Sequence, residues 1–208
     1  MLKRKKILVA VIFVISLVFV IHYINLFLSN RGYEQYHSHR LMNDNSLLTH
    51  SLLDNQEIYK EILNTETLSK EQVERIHNNT YVIINFYEDY SNLAVLIRGF
   101  KKDGHSTTSA AFNIEAVFNN KITDQEVVSL DEDFLNKVNT ISNINQSWLQ
   151  ILSENMIGFE IHDSEYITTE ARESLSQNSI TKDFWVKTLD MFDNIVKEHS
   201  DQIRMLLN

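Results

Sequence analysis

The sequence predicts an α+β fold: an N-terminal transmembrane helix, then an outer domain in which a small antiparallel sheet is packed by amphipathic helices. The sheet is expected to be a three-strand meander plus a short fourth strand. Three observations lead there. Residues 7–28 carry no Asp, Glu, Lys or Arg and follow a basic cluster. Residues 80–118 hold a β-branched and aromatic tract with turn signals. Helical periodicity flanks that tract on both sides, and helices, then strands, then mainly helices is an α+β order.

Composition narrows the function. Hydrophobic residues make up 43% and charged residues 23% of the 208 residues, which suits a folded chain. The net charge of −9 argues against a general nucleic-acid binder, because phosphate contacts need a basic face. The chain has no cysteine, so thiol catalysis, Cys-ligated metals and disulfides are excluded. Four glycines and no proline leave little room for a phosphate-binding Gly-rich loop. The 22 Ile and 21 Asn resemble the output of an AT-rich bacterial genome.

Lys3, Arg4, Lys5 and Lys6 precede the apolar stretch as a basic tail over 1–6. The 22 residues of 7–28 span roughly 33 Å as a helix, about the depth of a hydrocarbon core. A cleaved signal peptide would have an apolar core of about 7–15 residues ending in small residues. Here Ile7–Ile21 is apolar apart from Ser16 and runs on into His22-Tyr23-Ile24-Asn25-Leu26-Phe27-Leu28 with no small-x-small pair. The segment therefore reads as a signal-anchor. His22 and Asn25 fit the interfacial turns and Tyr23 the aromatic belt. The positive-inside rule places the N-terminus in the cytoplasm and 30–208 outside the cell membrane. Residues 31–208 hold 15 basic and 28 acidic residues, a net charge of −13.

Residues 30–78 read as a helical membrane-proximal segment, one unit with an α+β domain over 79–208. Within 33–64, Leu41, Leu48, Leu52, Tyr59 and Ile62 occupy heptad a and d positions, with Asn45 and Asn55 in the other two. Leu47, Leu53, Ile58 and Leu63 widen the stripe, which favours packing on the chain's own domain; a homodimer through residues 41–62 is the alternative. Ser69 and Gln72 form a capping box opening a helix to about His77. Tyr81–Tyr87 reads as a strand, Tyr90-Ser91-Asn92 as a turn and Leu93–Phe100 as a second strand. Lys101-Lys102-Asp103-Gly104 supplies a tight turn. A third strand over 110–118 alternates, with Phe112 inward and Asn113 outward. Ser129 and Glu132 suggest a second capping box, and Phe134, Val138, Ile141, Trp148 and Leu152 a helix to Asn155. Residues 157–161 read as the fourth strand and 169–177 as a short helix. From Thr181 onward, Trp185, Leu189, Phe192, Val196, His199, Ile203 and Leu206 mark a closing helix.

No set of residues converges on a catalytic or cofactor site. His37 and His39 stand two apart, so on a helix their rings diverge; metal binding needs an extended segment and a third ligand such as Glu34 or Asp44. Glu160 and His162, followed by Asp163 and Glu165, read as the charged face of an edge strand. Glu88 and Asp89 read as a solvated turn tip. Gly104-His105-Ser106 lacks nucleophile-elbow spacing, and His199 reads as a boundary histidine. Asn78-Asn79-Thr80 and Asn145-Gln146-Ser147 match the glycosylation pattern by chance. No catalytic, cofactor or metal residue is assigned. The expectation is a single-pass membrane protein whose acidic outer domain binds another protein, as an accessory, envelope or immunity-type factor. A ligand-sensing module signalling through a membrane partner is the alternative, and an envelope hydrolase the third reading.

Overall fold

Helix α1 runs unbroken from Leu2 to Thr65, so the apolar segment and the first helix of the folded domain are one element of roughly 96 Å. The structure, a computed structural model, describes residues 2–101, 106–122, 126–155 and 179–207. After α1 come β1 (Thr67–Ser69), α2 (Lys70–Arg98), α3 (Thr107–Lys121), β2 (Val127–Ser129) and α4 (Glu132–Asn155). A single 3₁₀ turn (Ser179–Thr181), α5 (Phe184–Glu198) and α6 (Ser200–Met205) complete the order.

The heptad stripe of α1 is the centre of the bundle. Leu41, Asn45, Leu48, Leu52, Asn55, Tyr59 and Ile62 are all buried, and α4 and α2 cover them. Both partners run antiparallel to α1. Arg40 pairs with Asp89 and Asp54 with Arg75 along the α1–α2 seam. Across the α1–α4 seam Asn145 Nδ2 donates to the Leu52 carbonyl at 2.8 Å, and Gln56 Nε2 donates to Ser142 Oγ at 2.9 Å. Helix α3 packs on α2, where Thr108 Oγ1 donates to Glu88 Oε1 at 2.7 Å. Helix α5 closes the core against α4 and α2, with Phe192 stacked on Trp148 at 5.7 Å between ring centroids. The heptad therefore packs within the chain's own domain, as the wide stripe predicts.

The sheet expectation is overturned. The fold is a helical bundle, and among the described residues its only sheet is the two-stranded antiparallel ribbon β1–β2, with Leu68 opposite Val128. The stretches 81–87 and 93–100, read as strands, belong to α2 up to Arg98, and 110–118 lies inside α3. The fourth strand at 157–161 and the helix at 169–177 lie outside the described residues.

The reason is that packing period outweighs residue propensity. The Ser69–Gln72 capping box forms as predicted, but its helix does not stop at His77. Val73, Ile76, Thr80, Ile83, Ile84, Tyr87, Tyr90 and Ala94 recur every three or four residues and all are buried. No glycine or proline lies between 33 and 98 to break the pattern. The break comes at Gly99, whose φ of 67° is left-handed, with Phe100 N–H closing on the Ala94 carbonyl at 3.2 Å. In α3, Ala110, Ala111, Ile114, Val117 and Phe118 are buried at helical spacing. Phe112, expected inward, is 52% exposed.

Two smaller expectations are also corrected. Asp131, not Ser129, caps α4, accepting from Phe134 N–H at 2.8 Å, while Ser129 pairs in β2. The closing helix breaks at His199 into α5 and α6, though Trp185, Leu189, Phe192, Val196, Ile203 and Leu206 are buried as the periodicity requires.

Two stability measurements check this packing. By urea unfolding, Ile114→Ala should cost about 2–5 kcal/mol, and Phe112→Ala should stay within about 0.5 kcal/mol. The reverse ranking would restore the strand register. Glu66 ends α1 with a φ of 55°, a left-handed position that costs a non-glycine residue roughly 1 kcal/mol. Glu66→Gly should therefore raise the unfolding midpoint, and a lowered one would contradict that backbone assignment.

Candidate functional site

Residues 40, 44 and 47 of α1 face residues 82, 85, 86 and 89 of α2 across an open groove of about 300 Å³. The i, i+4 spacing on α1 brings Arg40 and Asp44 onto one side, where Arg40 Nε meets Asp44 Oδ2 at 3.4 Å. The other end of the guanidinium pairs with Asp89 of α2. Tyr90 OH donates to Asp44 Oδ2 at 2.8 Å, so the aspartate is shared between the two helices. Leu47 is 56% exposed and forms an apolar wall with Val82 and Phe86.

Burial opposes the Arg40 charge, but the Asp89 and Asp44 carboxylates outweigh it and hold the guanidinium above its usual pKa. Burial, together with the hydrogen bond to Asp44, pushes the Tyr90 phenol up, so it stays protonated as a donor. With Arg40 between two carboxylates, the trio carries one surplus negative charge. The groove offers an acidic rim beside an apolar wall.

Two further polar clusters fix the helices around it. Asp54 accepts from Asn79 Nδ2 at 2.7 Å and pairs with Arg75. Asp193, a buried carboxylate on α5, accepts from Thr107 N–H and Thr107 Oγ1, each at 3.0 Å, and from Tyr87 OH. A carboxylate at the first turn of α3 complements the helix dipole, so Asp193 joins α2, α3 and α5 as a cap supplied from a distant helix.

The residues weighed from sequence are dispersed. His37 and His39 sit on helical α1, one half-buried against the edge of Tyr36 at 5.3 Å and the other exposed. Among the described residues no group of three His, Asp or Glu side chains is placed to hold a metal ion. Glu88 and Asp89 are not at a turn tip: they lie within α2 and point apart, Glu88 to Thr108 of α3 and Asp89 to Arg40 of α1. Ser106 is the N-cap of α3 and accepts from Ser109 N–H at 3.3 Å. His199 Nδ1 lies 3.1 Å from the Ile195 carbonyl at the α5–α6 break. Asn145, of the second glycosylation match, is buried and hydrogen-bonded. Glu160, His162, Asp163, Glu165 and His105 lie outside the described residues. His22 and Asn25 are exposed on α1. Sequence reading missed Arg40, Asp54, Arg75, Tyr87 and Asp193, whose partners are far away in the chain.

The class this architecture defines is a helical bundle carried on one extended helix, with a groove of mixed charge beside the point where that helix enters the bundle. No family model matches the chain, nor does any curated protein or solved structure.

The Asp54 cluster gives a pH prediction. Burial raises the Asp54 carboxyl, but hydrogen bonds from Arg75 and Asn79 and the Arg75 charge overcome this and hold it below its ordinary value. A lowered folded-state pKa stabilises the fold above the unfolded-state value, and the contribution is lost as pH falls through the folded one. Stability should be flat in this respect near neutrality and decline below about pH 4. In Asp54→Asn the acid limb measured by urea titration should be shallower; an unchanged limb would remove Asp54 from the acid response.

Proposed function

We propose that the chain is a single-pass, membrane-anchored protein whose helical domain binds another protein through the groove between α1 and α2. The observation that carries the anchor is the bareness of α1. Among the described residues, none of its apolar segment is buried by the rest of the protein. Phe13, Val18, Phe19 and Leu28 are each more than half exposed. A core helix would be covered by its own domain, whereas a helix apolar all round and left bare suits hydrocarbon. Lys3 to Lys6 favour a cytoplasmic N-terminus, with 30–208 outside.

The binding reading rests on the groove's chemistry and on the acidic balance of the outer part. An accessory, envelope or immunity-type factor recruits one partner and needs no reacting groups of its own. A second reading, a sensor signalling through a membrane partner, is favoured by one observation. Arg40, Asp44 and Leu47 lie on the same continuous helix as the apolar segment, so an occupant of the groove would act directly on the helix that enters the bilayer.

Membranes washed in high salt and carbonate should retain the protein, and external protease on wall-stripped cells should degrade 31–208. Release by carbonate would defeat the anchor; protection of the outer part would reverse the orientation. In intact cells, photocrosslinkers at Leu47 and Asn85 should capture the same protein, and one at Val127 on the β ribbon should not. Charge reversal at Asp89 should weaken that capture in a salt-dependent way. Equal capture from all three sites would refute the groove.

A further inference from the structure

The antiparallel register of α1 and α2 brings the C-terminal end of α2 back to the level at which α1 leaves its apolar segment. Arg40 stands opposite Asp89, Asp54 opposite Arg75, and Asp44 opposite Tyr90. On that register Leu96 lies level with about residues 33–38 of α1, and Phe100 with about residues 29–34. At ~1.5 Å per residue Phe100 sits roughly 2–9 Å and Leu96 roughly 8–15 Å beyond Leu28. The headgroup zone is about 5–8 Å deep on each side of the hydrocarbon. A tilt of about 20°, ordinary for a single span, lowers a neighbouring helix by a further ~3 Å.

Among the described residues beyond the apolar segment, this end of α2 holds the most exposed apolar side chain. Leu96 is 81% exposed, Ile97 53% and Val95 44%, consecutive positions that α1, α3 and α5 leave uncovered. Tyr33 and Tyr36, at the same level on α1, are 65% and 63% exposed. Arg31, Lys101 and Lys182 are exposed at this end as well, beside the acids Glu34 and Asp183. Arg98 Nη2 donates to the Ile180 carbonyl at 3.5 Å and Nη1 meets Asp183 at 3.5 Å, which fixes the 3₁₀ turn to the end of α2. That turn is joined in its turn to α1, since Ser179 Oγ donates to the Ser38 carbonyl at 3.2 Å. Apolar side chains, tyrosines and cations gathered at one depth are what a bilayer interface selects.

We propose that Val95, Leu96 and Ile97, with Lys101, dock onto the surface of the membrane that α1 crosses, so that the bundle is held against the bilayer instead of swinging on its anchor. The inference rests on the anchor reading and adds a second membrane contact to it. The acidic remainder of the domain then faces away from the lipid.

The chain has no cysteine, so single-cysteine variants take an environment-sensitive fluorophore without background. The full chain is reconstituted in phosphatidylcholine–phosphatidylglycerol vesicles with the label at Leu17→Cys, Leu96→Cys, Ile97→Cys or Val127→Cys, and circular dichroism confirms retained helicity. Expected are loss of emission at 17 with a lipid quencher at the bilayer centre, loss at 96 and 97 with a headgroup-level quencher, and no loss at 127. Water-like emission at 96 and 97 with 17 still quenched would overturn the docking and leave the anchor. Blue-shifted emission at 96 and 97 that lipid quenchers do not touch would assign the patch to a protein occupant, such as a second copy, and also overturn it. No quenching at 17 would overturn anchor and docking together.

Discussion

Leu41, Leu48, Leu52, Tyr59 and Ile62 lie on one stripe of α1 and are at most 1% exposed, and the placement of the other helices follows from covering them. An isolated helix with such a stripe leaves it in water, at a cost of roughly 25 cal/mol per Å² of apolar surface. Two antiparallel helices, α2 and α4, cover it from either side. Helices α3 and α5 complete the same core against α2 and α4, with Ile114, Phe118, Trp185 and Phe192 buried and Phe118 stacked on Tyr59 of α1 at 5.6 Å between ring centroids. The β1–β2 ribbon is a by-product of this arrangement. It ties the α1–α2 corner to the connection between α3 and α4, with Leu130 N–H donating to the Glu66 carbonyl at 2.9 Å.

Polar groups set the register of this apolar core. Asn55 and Asn145 are buried with partners on other helices, as are Gln56 and Ser142. A buried amide that loses its partner costs about 1–3 kcal/mol, so sliding α4 along α1 by one turn is penalised several times over. The same logic applies to Asp193, which accepts from Tyr87 of α2 and Thr107 of α3. These interactions position the bundle. The Arg40–Asp44–Asp89 trio, by contrast, lines an open groove together with the exposed Leu47.

Much of this was legible in the sequence. The heptad stripe, the Ser69 capping box, helix α4 and the apolar face of α5 all follow from period and cap chemistry. The meander was misread because residues 81–87 and 110–118 satisfy two periods at once. Tyr81–Tyr87 is rich in β-branched and aromatic residues, yet Ile83, Ile84 and Tyr87 also continue the stripe begun at Val73 and Ile76. In 110–118, Ala110, Ile114 and Phe118 belong to both the alternating and the helical pattern; Ala111, Phe112, Ala116 and Val117 distinguish them. The missing evidence for a hairpin was a residue able to reverse the chain: Tyr90-Ser91-Asn92 has no glycine, and Ser91 Oγ simply donates back to the Glu88 carbonyl at 3.3 Å. The groove was not legible at all. Arg40 and Asp89 stand 49 positions apart, and neither the i, i+4 spacing of Arg40 and Asp44 nor the Glu88–Asp89 pair says that the two would meet.

The functional account depends on α1 being one rigid helix through the joint between its apolar segment and the bundle. That continuity puts the groove on the same helix as the apolar segment and, on the proposed anchoring, sets the depth of the α2 end. Spin labels at Tyr23→Cys and Asn43→Cys, with the full chain in vesicles, measure it directly. An unbroken helix places the two backbone positions about 30 Å apart with a narrow distance distribution. A markedly shorter or broad distribution would show a hinge between segment and bundle and contradict the account.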